Sequence, residues 1–532
     1  MHNSFCQTVP PSTDQGCSAD FLRVKALARA GDASAQHRTG FMYFHGEGVG
    51  RDLGQALHWY LKAAYSGLAL AQYNLGVMHQ RGQGVERDEQ QAVHWYLLAA
   101  EQGYAPAQFN LGWMHARGVG VARDVTKAHG WFARAAAQGD AGAQNNLGMM
   151  YETGKGAPRD LARAVALYRS SAMQGHARAQ FNLAMCCQRG EGVEQDEQQA
   201  IEWLRKAADH GHAGAQFNLG LRYDKGTGLV QDSERAAHWY RRAAGQGHAS
   251  AQFNLGLLHD TAAPPLRSEV LALEWYRKAA AQHHAGALDH LGLRYQNGQG
   301  VERDDVRAAA LFEQAARQGF PSAQYHYGLL FDGGRGIAID ALQAAHWIGL
   351  AAAQGHLRAQ FDMGLRCDAG TGVAQDEQAA LHWYRRAADK GYVPAQFMLG
   401  VLHDRVDSPA YDPQLAVSWF LKAAAQGYAR AQFAMGLRYD SGNGVTPDHH
   451  AAYAWYVRAA RQGHARAQLN LGLMHAAGHG AGHDLLAAYA WLAQAERGGA
   501  HGARAARDQV TERMNIDEVA QIARLEEELE LA

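Results

Sequence analysis

AQYNLGVMHQRGQGVERDEQQAVHWYLLAAEQGYAP, residues 71–106, is the stretch from which the fold follows. Its first half sets Leu75, Met78 and His79 on one face at helical spacing, and its second half does the same with Ala92, Trp95 and Ala99, so two short helices are predicted. Gly82, Gly84 and Val85 form a glycine-rich turn between them, and Asp88 stands where a side chain accepts from the free amides opening the second helix. The unit is a helical hairpin. It returns every 36 residues from Ala35 to Ala503, usually as Ala-Gln, with no net insertion. A fixed period of roughly 20–50 residues marks stacked supersecondary units, which bind other molecules along an extended surface.

Each column of the repeat has a physical task. The Asp88 position holds aspartate from Asp52 to Asp484, with Ser268 the sole departure. A carboxylate repeated in all units but one is a helix cap of about 1 kcal/mol, and a catalytic group would be singular. The Gly103 column, broken by His283, is expected to end each second helix in a left-handed residue, with strain at the break. Alanine fills the Ala92 column from Ala56 to Ala488, as a close helix contact requires. Eleven of the twelve tryptophans share the Trp95 phase and are expected as interlocking core residues.

Composition narrows the function classes. Lys plus Arg at 50 nearly cancels Asp plus Glu at 52, so the basic footprint of a nucleic-acid binder is missing. No apolar stretch suits a secretory signal or a membrane span, so a soluble, cytoplasmic protein without membrane insertion is expected. The five cysteines, Cys6, Cys17, Cys186, Cys187 and Cys367, follow no repeat-wise pairing and are expected as reduced thiols. The predicted organisation is a flexible segment over 1–18, a capping half-repeat over 19–34, thirteen repeats over 35–502 and capping helices over 503–532, closed by LEEELELA.

The pattern A-Q-[YF]-N-L-G-x-x-[YH]-x-x-G-x-G-V-x-x-D, then A-x-x-W-[YF]-x-x-A-A-x-x-G, resembles the Sel-one-like repeat family, relatives of the tetratricopeptide repeats with a longer inner turn. The resemblance covers about residues 20 to 532. It implies an all-α, right-handed superhelical solenoid whose first helices line the concave face, and a role as adaptor or scaffold for protein partners. Two loops depart from the pattern: DTAAPPLRS (260–268) and DRVDSPAYD (404–412) lack the Gly-x-Gly turn and are expected to be reshaped.

Candidate binding residues are polar positions that the hairpin does not require. Asn74, Asn110, Asn146, Asn182, Asn218 and Asn254 succeed one another at one phase before His290, His326, Asp362, Met398 and Ala434 replace them. An amide donates and accepts, so such a row either holds the backbone of an extended peptide, as an equivalent asparagine does in the tetratricopeptide relatives, or bonds within its own hairpin. The aromatic column beside it, from Tyr73 to Phe433, is expected to pack between repeats. Near the first-helix C-terminus, Arg81, Arg117 and Arg189 occur early, while Asp332, Asp368, Asp404 and Asp440 occur later. Aspartate there opposes the helix dipole. It therefore calls either for local bonding to the glycine turn or for a basic partner segment.

Arg222, Arg294, Arg366 and Arg438 recur in every second unit, which suggests a duplicated four-unit block and either tandem docking sites or duplication without functional meaning. Sixteen of the 29 histidines fall on three repeat phases. Helices about 8–10 Å apart do not bring such residues to the 2.0–2.1 Å that zinc needs, so no metal site is predicted. No phosphate loop, nucleophile elbow or His-Glu-x-x-His motif occurs, so neither catalysis nor a cofactor is expected. The sequence thus predicts a protein-binding scaffold. Small-ligand or glycan binding on the aromatic column, or an immunity or regulatory protein that blocks a partner enzyme, are the alternatives.

Overall fold

Asp88 decides where one helix stops and the next starts. Its backbone N–H donates to His79 O (3.0 Å), closing the turn, while its carboxylate accepts from the amides of Gln90 and Gln91 (2.9 and 3.0 Å). The first helix, Ala69–Arg81, ends at Gly82 (φ +66°) and the second runs Glu89–Glu101. The computed structural model describes residues 18–522, all helices and turns. First helices begin two residues ahead of the Ala-Gln phase, at Ala33, Ala69 and their equivalents.

The chain forms two compact units, divided after Ala272. Over its described residues the first unit opens with the single helix Ala19–Arg29 and continues with hairpins from Ala33–His45 to Ala249–Thr261. Within the second, hairpins run from Ala285–Asn297 to Leu485–Arg497, followed by Ala503–Glu512 and a short helix over 516–522. Expectations for 1–17, including Cys6 and Cys17, and for 523–532 lie outside the described residues.

Packing between neighbouring units explains the invariant small residues. A Cβ on Gly76 would stand 2.6 Å from the Tyr96 ring, so glycine in mid-helix lets the second helix approach. Gly84 lies against Leu53 of the preceding repeat, where a Cβ would be 2.9 Å from its carbonyl oxygen. The alanine column is buried throughout, at 0–1% exposure from Ala56 to Ala488. Within the Ala-Gln pair the glutamine is a buried strut. Gln72 donates to Ala64 O (3.2 Å) and accepts from Gln102 (2.7 Å), tying three helices together.

Tryptophan is less central than its recurrence suggests. Only Trp59, Trp95 and Trp419 of the column are buried, and the fully enclosed ring belongs to the next residue, as in Tyr96, Tyr168, Tyr240, Tyr276, Tyr384 and Tyr456. Eight of the eleven instead support a cation three residues on, from Lys422 over Trp419 (3.8 Å) to Arg386 over Trp383 (5.3 Å). At His283 the break in the glycine column has its expected consequence: among the described residues it is the only non-glycine with positive φ (+58°). The two altered loops lack the left-handed C-cap, and each is held by the same device. His259 Nδ1 pairs with Leu266 O and His403 Nδ1 with Ala410 O, both at 2.7 Å.

Candidate binding face

Successive first helices carry the asparagine column half-buried rather than projecting freely. Asn74 pairs with His37 (2.8 Å) and Asn182 donates to Asn145 (3.0 Å), in each case 37 residues back, on the preceding first helix. Asn146 accepts from Asn145 (3.3 Å), and Asn254 donates to the Tyr240 hydroxyl (3.4 Å). Asn110 sits beside the Tyr96 hydroxyl and favours its ionised form, although burial holds that group well above its usual range. Asn218 has Leu204 where Asn74, Asn110, Asn182 and Asn254 have a tyrosine, and no hydrogen bond from its side chain occurs among the described residues. Where the column changes, the same 37-residue link persists. His326 meets Asp289 (2.7 Å), and Asp362 accepts from Tyr325 (2.8 Å) with its carboxyl raised by burial.

Aromatic residues pack between repeats as expected, and their partners are the residues that open the following first helix. Phe181, Phe217 and Phe433 stack on His212, His248 and His464 at 4.6–4.8 Å. Those histidines are caps. Nδ1 of His176, His212, His248, His284, His356 and His464 accepts from the backbone N–H three residues on, at 3.1–3.3 Å. An Nδ1 acceptor must be neutral, and burial lowers the pKa of His176, His212, His248, His356 and His464 accordingly.

The acidic row has partners that neither expectation supplied. Asp332 pairs with Arg366, Asp368 with Arg405 (3.0 Å), Asp404 with Arg438 and Asp440 with His449 (2.9 Å). Arg366 and Arg438, two of the alternate-unit arginines, are inter-repeat braces with largely buried side chains; Arg222 meets Glu197 in the same way. A signal was present in the sequence: Arg366 and Arg438 each follow their aspartate by 34 residues. Arg81, Arg117 and Arg189 are exposed at helix ends, Arg117 over Trp113 (5.2 Å) and Arg189 beside Glu191 (3.4 Å). None of the three bonds to an asparagine of the column.

Burial pushes the Cys186 thiol up to about 12, far from the thiolate a reactive cysteine needs. Among the described residues no three His, Cys, Asp or Glu side chains are grouped to hold a metal, and no helix is long and apolar enough to cross a membrane.

The family model described as Sel1 repeat matches thirteen contiguous segments, from 33–68 to 465–499. Among solved structures, the chain is similar to c5321, a protective antigen present in uropathogenic Escherichia coli strains displaying an SLR fold. The two are 30% identical over 96% of this chain and 94% of that one, with a TM-score of 0.42. A Sel1 repeat protein from Oxalobacter formigenes is 34% identical over 58% of this chain and 89% of its own, with a TM-score of 0.45. The immunity protein Pa5087 from Pseudomonas aeruginosa is 22% identical over 40% and 81% respectively, with a TM-score of 0.27. No curated protein matches the chain.

Proposed function

The chain belongs to the Sel1 repeat family, whose members generally mediate protein–protein interactions, and on that premise we propose that it is a scaffold taking an extended segment of a partner protein along its first helices. Asn110 to Asn254 hold the partner's backbone. One observation carries this reading: the amides recur at a fixed phase and are only half-buried, and Asn218 has no bond of its own to break. An amide can make up to four hydrogen bonds, so those that brace a neighbour retain capacity for a peptide.

Catalysis has no part in this reading, because the groups repeated in each unit serve as caps, struts and packing. Small-ligand binding on the aromatic column is disfavoured because several of its rings are already stacked on capping histidines.

Affinity purification from the native cell, read by mass spectrometry, identifies the partner. Replacing Asn182, Asn218 and Asn254 together by Ala is expected to leave the helical circular dichroism intact and weaken partner binding at least tenfold, about 1.4 kcal/mol. Unchanged affinity overturns the proposal. Asn218→Ala alone costs no intrachain bond, so its effect isolates the partner contact.

A further inference from the structure

Beyond the asparagine row, the first-helix face changes character over residues 393–466. Met398 and Ala434 replace the amides, and the small Ala434 side chain leaves a groove of about 700 Å³ between the rings of Phe397 and Phe433. Val401 completes the floor, and Leu437 at its margin is 41% exposed. Phe433 is held by stacking on His464 at 4.6 Å and Phe397 by Tyr428 at 5.4 Å, so the floor is preformed.

The charge around this groove is the reverse of what the acidic row suggests. Asp404 is its sole carboxylate, and it is taken by Arg438. Arg430 and Arg466 remain, both exposed and without an ion pair among the described residues; the same phase holds Arg178 and Arg358 singly, and Gly214, Ser250, Gly286 and Ser322 in other units. Both face His464, whose protonation they oppose in addition to its burial. A single exposed arginine is ordinary. Two guanidiniums of adjacent repeats flanking an apolar groove whose only acid is already neutralised are complementary to one chemistry.

We propose that this groove docks an acidic segment of a partner protein, with a bulky apolar side chain on Phe397 and Phe433 and flanking carboxylates on Arg430 and Arg466. The assignment rests on the scaffold reading above and adds the partner's chemistry at one end of it. An extended chain advances about 3.3 Å per residue, so carboxylates three residues apart span the roughly 8–10 Å between neighbouring helices. A basic segment meets uncompensated arginines, and a neutral polar one leaves the floor unfilled.

The test is fluorescence anisotropy of the full chain with labelled peptides. EDLFEDLE is expected to bind, with an affinity that falls as salt rises. The same peptide with Lys for its acids, or Ser for Leu and Phe, is expected to bind at least tenfold more weakly. Arg430→Glu with Arg466→Glu should abolish binding, and Ala434→Asn, which restores the amide and fills the groove, should weaken it at least fivefold. If the charge-reversed pair fails to fold, the Gln pair replaces it, with a loss of at least tenfold. Equal binding of the lysine peptide, or full binding by the arginine variants, overturns the proposal. The asparagine triple variant distinguishes the two readings: it should bind EDLFEDLE like the native chain while losing the partner. Loss of the partner without peptide binding in the native chain removes only the acidic-segment assignment.

Discussion

At Gly76 a methyl group would stand 2.6 Å from the Tyr96 ring, and the chain records what happens when one is present. Ala184 occupies the glycine position in its unit, and the ring opposite has become Leu204. Gly76→Ala alone is therefore expected to destabilise its repeat by about 1–3 kcal/mol through overpacking, and adding Tyr96→Leu should recover part of that loss. Denaturant unfolding of the two variants checks this. No recovery in the double variant would mean that the ring is not what the glycine accommodates. The 20-residue spacing was readable in the sequence, although Gly328 and Gly472 face Ile348 and Leu492 rather than a ring. Its cause was not, because only the crossing of the two helices shows which ring faces which Cα. The same holds for Gln36 and Gln360, whose side-chain oxygens are buried without a partner where Ser66 and Lys390 replace the bonding glutamine.

Among the elements, first helices differ in how their N-termini are closed. Asp32 and Asp140 cap two of them with carboxylates, whereas six others use histidine through Nδ1. Protonation removes that acceptor and sets a cation against the positive end of the helix dipole. The folded pKa lies below the unfolded value for His176, His212, His248, His356 and His464, so their contribution is present above about 6.5 and lost as pH falls through the depressed values. Thermal midpoints should fall between pH 7.5 and 5. His176→Asp, His212→Asp and His248→Asp combined should flatten that dependence, since a carboxylate cap persists to about pH 4. An unaltered pH profile in this variant would count against the caps as its source. The aspartate caps were legible in the sequence because their chemistry is familiar. The histidine caps were not, since the recurrence of a residue does not tell which atom it uses.

On the scale of the whole molecule, stability is carried by contacts between neighbouring repeats, so a lesion should stay local. Asp332→Ala leaves the largely buried Arg366 without its partner, at a cost of about 3 kcal/mol. Hydrogen exchange should rise around these two repeats while amides of the first unit keep their protection. Uniform loss across both units would contradict this nearest-neighbour behaviour. What the sequence determined by itself is the local alphabet: two helices per 36 residues, an aspartate at each inner turn, and glycine or alanine wherever backbones approach. Those choices depend on hydrogen bonds and sterics within a few residues, which spacing encodes directly. Tertiary structure alone decided the fate of the charges. The later aspartates looked like an open acidic row until Arg366, Arg405 and Arg438 were placed against them, leaving Arg430 and Arg466 as the accessible charge beside an apolar groove. Charge acts through space, and residues 34 or 37 positions apart become neighbours only when one repeat stacks on the next.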